Sequence, residues 1–240
     1  ACPSRRTPAT SRPAPVTSDR AARIWASIRA HARRDARPVA PRHVCLACAQ
    51  SLDASVGLLM SDGEGGLAQP VAASDTLAAH LDERQVTLGE GPASDVIAGH
   101  DLVRVADLTA AEQSARWPIF SDIARERGVH ACVALPLQAG VVELGVLTIY
   151  RKRPGLLSSD AFSDALAYAD AALALALDHY IELPLHRLKS LDELFAPPRS
   201  VIHQATGMVS VQLGVSLAAA LARLRAHAYA NDRSLADVAA

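Results

Sequence analysis

Two apolar stretches, HACVALPLQ at residues 130–138 and VELGVLTIYRK at residues 142–152, decide the fold of this chain. Only a short connection around Ala139-Gly140 separates them, and this arrangement predicts a β-hairpin. The upstream segments ASVGLLM and LAQPVAA also resemble strands, and helical patterns lie between the two pairs. Short strands interleaved with helices and ending in a hairpin indicate an α+β fold with an antiparallel sheet.

The regions on either side of this sheet differ in composition. Residues 1–18 are rich in Pro, Arg, Ser and Thr, so we predict a disordered arm. Residues 19–157 are expected to form one domain that begins with helices, the first of them capped by Asp19. A cytoplasmic, non-membrane protein is expected. No apolar segment is long enough and sufficiently free of charged residues to be a signal peptide or a membrane span.

A long helix is expected to follow over residues 158–196. Its apolar positions recur every three or four residues, the spacing of a seam between helices; they are Phe162, Leu166, Ala169, Leu173, Ala176 and Tyr180. We therefore predict a homodimer that uses this helix. Pro197-Pro198 ends the pattern and marks the next boundary.

The last segment, residues 197–240, predicts a small unit of helices. Gly214 is expected to end one helix, Ser216 to cap the next and Ser234 to open a third. Arginines lie along the rim of these helices. The third helix is expected to be incomplete at its C-terminal end.

Charge is distributed unevenly along a chain of 240 residues whose net charge is only -1. Residues 1–42 carry ten Arg against two acidic residues, whereas residues 43–196 carry ten basic and 21 acidic residues. Residues 197–240 carry four Arg and two Asp. The acidic middle would repel nucleic acid, so any such contact is expected at the ends.

The cysteines allow three interpretations. Cys45 and Cys48 form a C-x-x-C pair in an apolar helical segment, and Cys132 lies among the apolar residues of a strand. Burial in the core is the preferred interpretation, with redox chemistry and metal binding as alternatives. Because no second pair with ligand spacing follows, we predict no metal site. The sequence shows no nucleophile elbow, P-loop or paired-carboxylate spacing, so we also predict no catalytic residue and no cofactor.

The C-terminal stretch VIHQATGMVSVQLGVSLAAALARLRAHAYANDRSLADVA, residues 201–239, resembles the ANTAR domain, a small helical RNA-binding module of transcription antiterminators. The middle of the chain resembles the GAF domain of GAF-ANTAR proteins through GEGGLAQPVAASD, LGEGP, RWPIF, ALPLQAG and LGVLTIYRKRPGLLS. The resemblance implies an antiparallel sheet flanked by helices, followed by a long helix and a three-helix ANTAR unit.

This resemblance implies an RNA partner, a pair of short stem-loops in a nascent transcript. The predicted RNA-binding residues are Arg199, Gln204, Ala205, Gly207, Arg223, Arg225, Tyr229 and Arg233. Arginine pairs with phosphates, and tyrosine stacks on unpaired bases. The chain has Thr206 where ANTAR motifs commonly have Lys, and an ordinary solvated rim is the alternative interpretation.

A small-molecule site is expected in the GAF domain. Arg116, Trp117 and Phe120 could line it, with the rings stacking on a flat ligand and the guanidinium pairing with an anion. Structural packing of the two aromatic side chains is the alternative. The segment itself does not identify a ligand.

Together these features predict a cytoplasmic, non-enzymatic regulator that senses a signal through its GAF domain and binds RNA. Two alternatives stay open at this point. One is a GAF-type thiol redox sensor or an enzyme resembling methionine sulfoxide reductase, and it requires an accessible cysteine. The other is a dimeric interaction protein whose ANTAR unit has lost RNA binding.

Overall fold

The computed structural model describes residues 16–61, 68–99, 102–140, 142–181 and 198–240. The helices are α1 Val16–Arg34, α2 Pro41–Leu52, α3 Thr76–Leu88, α4 Pro92–Ile97, α5 Ala111–Arg116, α6 Pro118–Glu126, α7 Ser159–Ile181, α8 Pro198–Leu213, α9 Leu217–Ala230 and α10 Leu235–Ala239. The strands are β1 Ser55–Met60, β2 Gln69–Ala73, β3 Val103–Val105, β4 Ala131–Ala139 and β5 Val142–Arg151. The predicted arm at residues 1–18 lies almost wholly outside these ranges, and helix α1 begins at Val16.

The five strands form one antiparallel sheet in the order β2-β1-β5-β4-β3. The predicted hairpin is its centre: β4 and β5 pair from Ala131 opposite Arg151 to Ala139 opposite Val142. Strand β1 pairs with the other edge of β5. Pairing between strands that are distant in the chain therefore extends the sheet beyond the hairpin. The expected α+β fold is confirmed.

Both faces of the sheet are buried, and the alternation of side chains along each strand assigns them. Along β5, Leu147 and Ile149 face one core cluster, whereas Val146 and Tyr150 face the other. The first cluster is covered by α1, α2 and α7. The second is covered by α3, α4 and α6, and it continues into the C-terminal helices through Ile202, Ala228 and Leu235.

Helix α7 packs on its own domain along much of the predicted seam. Ala169 and Ala176 are buried in the first cluster, and Leu173 is partly buried against it. Leu166 is 41% exposed. Tyr180 and the remainder of the predicted connecting helix up to residue 196 have no described side chains.

Candidate functional site

Helices α8, α9 and α10 form the predicted three-helix unit, which we call the C-terminal unit. Gly214 ends α8 with a φ of +61°. The Ser216 hydroxyl caps α9 by accepting the Ala219 amide at 3.2 Å, and the Ser234 hydroxyl accepts the Asp237 amide at 3.0 Å to cap α10. Each cap satisfies a helix amide that has no partner within the helix.

Thr206 faces the interior of the C-terminal unit. It is buried, and its hydroxyl donates to the Ile202 carbonyl at 2.7 Å. Ile202 and Leu235 of the same unit are also buried. A lysine at this position would need its stem to leave this packing before its ammonium could reach water.

The predicted RNA-binding residues divide into three groups. Gln204, Arg223, Tyr229 and Arg233 are exposed, with Tyr229 at 45%. Ala205, Gly207 and Arg225 are half-buried. The side chain of Arg199 lies outside the described residues.

The surface above Gly207 is open. A Cβ atom built at this glycine would have no other part of the described chain within 4 Å. The described chain therefore does not cover this surface, which is available to an external group.

Helix α9 lies against α3 of the sheet domain. At one end of this contact, Arg84 of α3 forms an ion pair with Asp232, which follows α9. At the other, the Arg225 guanidinium lies over Gly89. A Cβ atom at residue 89 would come within 2.5 Å of Arg225 Nη1, so a side chain there would displace the guanidinium, and the φ of +71° at this position also favours glycine.

Arg225 also forms one wall of a cavity of about 260 Å³. The other lining residues are Leu59, Ala68, Val86, Gly89, Ser94, Ile97 and Ala98. Burial lowers the pKa of Arg225, and its Nε atom is buried without a hydrogen-bond partner. The sequence pattern identified Arg225 as a candidate but could not show that it faces the sheet domain.

A buried polar network lies behind this cavity. The Tyr150 hydroxyl donates to Asp82 Oδ1 at 2.5 Å and accepts from Gln85 Nε2 at 2.6 Å. Gln85 Oε1 in turn accepts the Ala93 amide at 2.7 Å, which ties α3 to the start of α4. Burial raises the pKa of Asp82 to about 7, although the hydrogen bond from Tyr150 acts in the opposite direction.

The three predicted ligand-binding residues do not line that cavity. Trp117 is 1% exposed and Phe120 is fully buried, with their rings edge to face at a centroid distance of 6.4 Å. Arg116 stacks on the Trp117 ring at 4.7 Å and forms an ion pair with Asp95 at 2.6 Å. Their contact with a ligand stays a prediction, and this burial favours the packing alternative.

A further contact in this region has no local signal in the sequence. Glu90 Oε1 accepts the amides of Ile119 and Phe120, each at 2.7 Å. These amides belong to the first turn of α6, where helix amides lack partners of their own. Because 29 residues separate Glu90 from Ile119, only the folded chain shows the pairing.

The three cysteines of the described ranges are buried and unpaired. Burial raises the pKa of the Cys132 thiol to about 12 and raises those of Cys45 and Cys48 further above their ordinary value. The thiolate is the reactive form of cysteine, so this environment disfavours redox and nucleophilic chemistry. Within the described ranges, no group of three or more His, Cys, Asp or Glu residues could hold a metal ion.

Comparison with known protein families agrees with this division of the chain. Residues 42–176 match the model of the GAF domain, and residues 198–240 match the model of the ANTAR domain. The chain belongs to the GAF-ANTAR domain proteins. The sheet and the helices that cover it within residues 42–176 are thus the GAF domain, and the C-terminal unit is the ANTAR domain. No curated protein sequence matches the chain.

Solved structures share the fold of the GAF domain. The GAF domain of a phosphoenolpyruvate-protein phosphotransferase from Coxiella burnetii is 18% identical, with a TM-score of 0.51 over 69% of this chain and 98% of that one. The corresponding Acinetobacter domain is 14% identical, with a TM-score of 0.50 over 68% of this chain and 94% of that one. At these identities the likeness shows the fold alone.

Among the described residues, no single helix is long and apolar enough to cross a membrane. Taken together, the helical segments Val201–Leu213 and Leu217–Ala230 have the length and apolar composition of a membrane span, but they are bent by 108° relative to each other.

Proposed function

We propose that this protein is a signal-responsive regulator that binds RNA and acts in transcription antitermination. The single observation that carries the proposal is the exposed surface of the ANTAR domain. Gln204, Arg223, Tyr229 and Arg233 all project from it into solvent. ANTAR domains bind RNA, and these side chains have the chemistry that contact with RNA requires.

The exposed residues can supply two kinds of contact. The guanidinium groups of Arg223 and Arg233 pair with phosphates, and the Tyr229 ring can stack on an unpaired base. The open space above Gly207 lets a nucleic-acid backbone approach α8. The proposed target is a pair of stem-loops, whose binding would prevent a terminator from forming.

Binding of a tandem-hairpin RNA to the full chain tests this proposal. Tyr229→Ala should weaken binding by about 1–3 kcal/mol, the contribution of one stacked base. Arg223→Ala should reduce the dependence of log K on log salt by about one. Arg125→Ala is the matched control, because Arg125 is an exposed arginine on α6 of the GAF domain.

Two results would separate the alternatives. If Arg223→Ala and Tyr229→Ala both bind RNA as the wild type does, the exposed surface is not the RNA site. If the wild type itself binds no hairpin RNA, the alternative of an interaction protein with a degenerate ANTAR domain replaces the proposal.

We also propose that the protein acts in the cytoplasm by binding rather than by catalysis, with the GAF domain as the sensory part. The regulatory character of GAF and ANTAR domains supports this. The burial of Cys45, Cys48 and Cys132 argues against the thiol-based alternative, which needs a reactive thiolate.

A homodimer would present one ANTAR domain to each stem-loop of the RNA, and we propose this assembly. The support comes from α7, where Leu166 is a large exposed apolar side chain. The part of the predicted seam available to a partner is narrower than the sequence suggested, because Ala169 and Ala176 pack on the GAF domain itself.

A further inference from the structure

Arg225 belongs to the ANTAR domain, but its guanidinium group lies against the GAF domain. Its guanidinium contacts Gly89 at the C-terminal end of α3, and its Nε atom is buried without a hydrogen-bond partner. In the part of the chain that the structure describes, no carboxylate lies within 4.0 Å of Arg225, whereas Arg84 and Arg116 each have one.

A guanidinium nitrogen that is buried without an acceptor is unfavourable, since the protein does not replace the hydrogen bond to water that this nitrogen loses. Among the described lining residues, the cavity does not supply the missing acceptor. Ser94 carries the one hydroxyl group among these residues; it donates to the Gln85 carbonyl at 3.2 Å, and it does not accept from Arg225 Nε, which has no partner. An anion that enters the cavity would supply the acceptor that Arg225 lacks.

The remaining walls indicate what else the anion must carry. Leu59, Val86 and Ile97 present aliphatic side chains, and Ala68 and Ala98 add methyl groups. The volume of about 260 Å³ lies below the roughly 300–1,000 Å³ of pockets for drug-sized ligands. A compact molecule with one anionic group and an apolar body fits this combination, and a nucleotide or a polyanion does not.

We propose that the cavity between the GAF and ANTAR domains binds a small apolar carboxylate, with Arg225 as its counter-ion. The apolar body lies against Leu59, Val86 and Ile97, and the carboxylate accepts from the guanidinium. The site is incomplete in an isolated GAF domain, because its only cationic wall among the described residues comes from the ANTAR domain.

This site has a regulatory consequence that rests on the proposed RNA-binding function. A carboxylate held by Arg225 adds a contact between α9 and the GAF domain and thereby stabilises the docked arrangement. Arg225 is also a predicted RNA-binding residue, and it could contact RNA only after its guanidinium left the cavity. RNA that uses Arg225 would therefore compete with the carboxylate. By linkage, the factor by which the carboxylate weakens RNA binding equals the factor by which RNA weakens carboxylate binding.

Calorimetric titration of the full chain with sodium benzoate tests the site. Benzamide is the matched probe, since it has nearly the same shape without the charge, and inorganic phosphate tests whether the anion alone is sufficient. We expect benzoate to bind measurably, and benzamide and phosphate to bind at least about tenfold more weakly. Benzamide loses one charge-assisted hydrogen bond, and phosphate loses the apolar contact.

Three variants locate the bound benzoate. Arg225→Gln removes the charge and should weaken benzoate binding about tenfold or more. Arg223→Gln, an exposed arginine on the same helix, should leave it unchanged. Ala98→Phe fills the cavity from an exposed position and should abolish binding while Arg225 is retained.

Hydrogen exchange reports docking without RNA. Benzoate should slow amide exchange in α9 of the wild type and leave it unchanged in Arg225→Gln. Equal binding of benzoate and benzamide, wild-type affinity in Arg225→Gln, or no benzoate binding up to millimolar concentrations would overturn the proposed site.

RNA-binding measurements with and without benzoate distinguish failure of the proposed site from failure of the proposed function. Benzoate should lower the affinity of the wild type for hairpin RNA, and should have no effect in Ala98→Phe. If benzoate binds but RNA affinity is unchanged, the proposed competition is wrong. If the chain binds no RNA, the proposed function fails while the calorimetric and exchange results still decide the site.

Discussion

Replacement of Asp82 by Asn should change the dependence of stability on pH. Asp82 is fully buried, with Oδ1 accepting from Tyr150 and Oδ2 without a partner. Burial raises its pKa from the ordinary 3.8 to about 7. The folded protein therefore binds a proton that the unfolded chain releases within this pH range.

The sign and size of the effect follow from linkage. Below pH 3.8 both states are protonated at this carboxyl, and the stabilising contribution of the neutral form is complete. It falls as pH rises and is lost by about pH 7. A pKa change from 3.8 to about 7 corresponds to about 4 kcal/mol.

Asn retains the acceptor for the Tyr150 hydroxyl and stays neutral at every pH. Asp82→Asn should therefore match the wild type to within about 1 kcal/mol at low pH, where Asp82 is also neutral. Near pH 8 the variant should be the more stable by up to about 4 kcal/mol. Its pH dependence should be correspondingly flatter.

Urea unfolding followed by circular dichroism, at steps between about pH 4 and pH 8, measures this difference. Burial also raises the pKa of Glu143 to about 7 and that of Glu83, and both act in the same direction in the wild type. Because both residues are present in the variant, the difference between the two proteins isolates Asp82. Asp170→Asn, at an exposed position of α7, is the control.

One result would refute this reasoning. A constant difference in unfolding free energy between the wild type and Asp82→Asn across the pH range would show that Asp82 does not titrate differently in the folded state. A difference that appears equally in Asp170→Asn would point to a general charge effect instead of burial.

Three further predictions concern the core and the assembly. Trp117→Ala should lower the unfolding free energy by about 3–5 kcal/mol, since the indole is buried. An unchanged thermal midpoint together with a lost ligand response would instead favour a ligand contact by Trp117. In a Cys2→Ser background, Cys45, Cys48 and Cys132 should react with an aromatic disulfide reagent only at the rate of unfolding. Rapid reaction of any of these three thiols in the native protein would revive the redox alternative. Leu166→Arg should convert a dimer to a monomer by light scattering without loss of helicity, whereas an already monomeric wild type excludes the proposed assembly.

Much of the fold could be predicted because its signals are local. The apolar runs on either side of Ala139-Gly140 form the β4–β5 hairpin, and the alternation along β5 assigns its side chains to two faces. Ser216 and Ser234 cap the helices that they were expected to cap. Strand period and helix capping depend on neighbours within a few residues, so these features can be predicted from the sequence alone.

The candidate site was predicted only in part. The exposure of Arg223, Tyr229 and Arg233 agrees with helical periodicity, because it depends on which face of one helix packs inward. The same periodicity placed Arg225 on the rim. The GAF domain then covers that side of α9, and nothing within α9 specifies a neighbour more than a hundred residues earlier in the chain.

The sequence by itself determined the central hairpin, the Ser216 and Ser234 caps and the presence of two domains, because each of these depends on residues close together in the chain. The expected cap at Asp19 was wrong, since α1 begins at Val16 and includes Asp19 in its first turn. Only the tertiary structure decided which polar groups become buried together. Asp82 and Tyr150 are separated by 68 residues, and Gly89 and Arg225 meet across two domains. Burial and pairing are properties of a position in space, and they set the pKa of Asp82 and the unmatched charge of Arg225 only once the chain is folded.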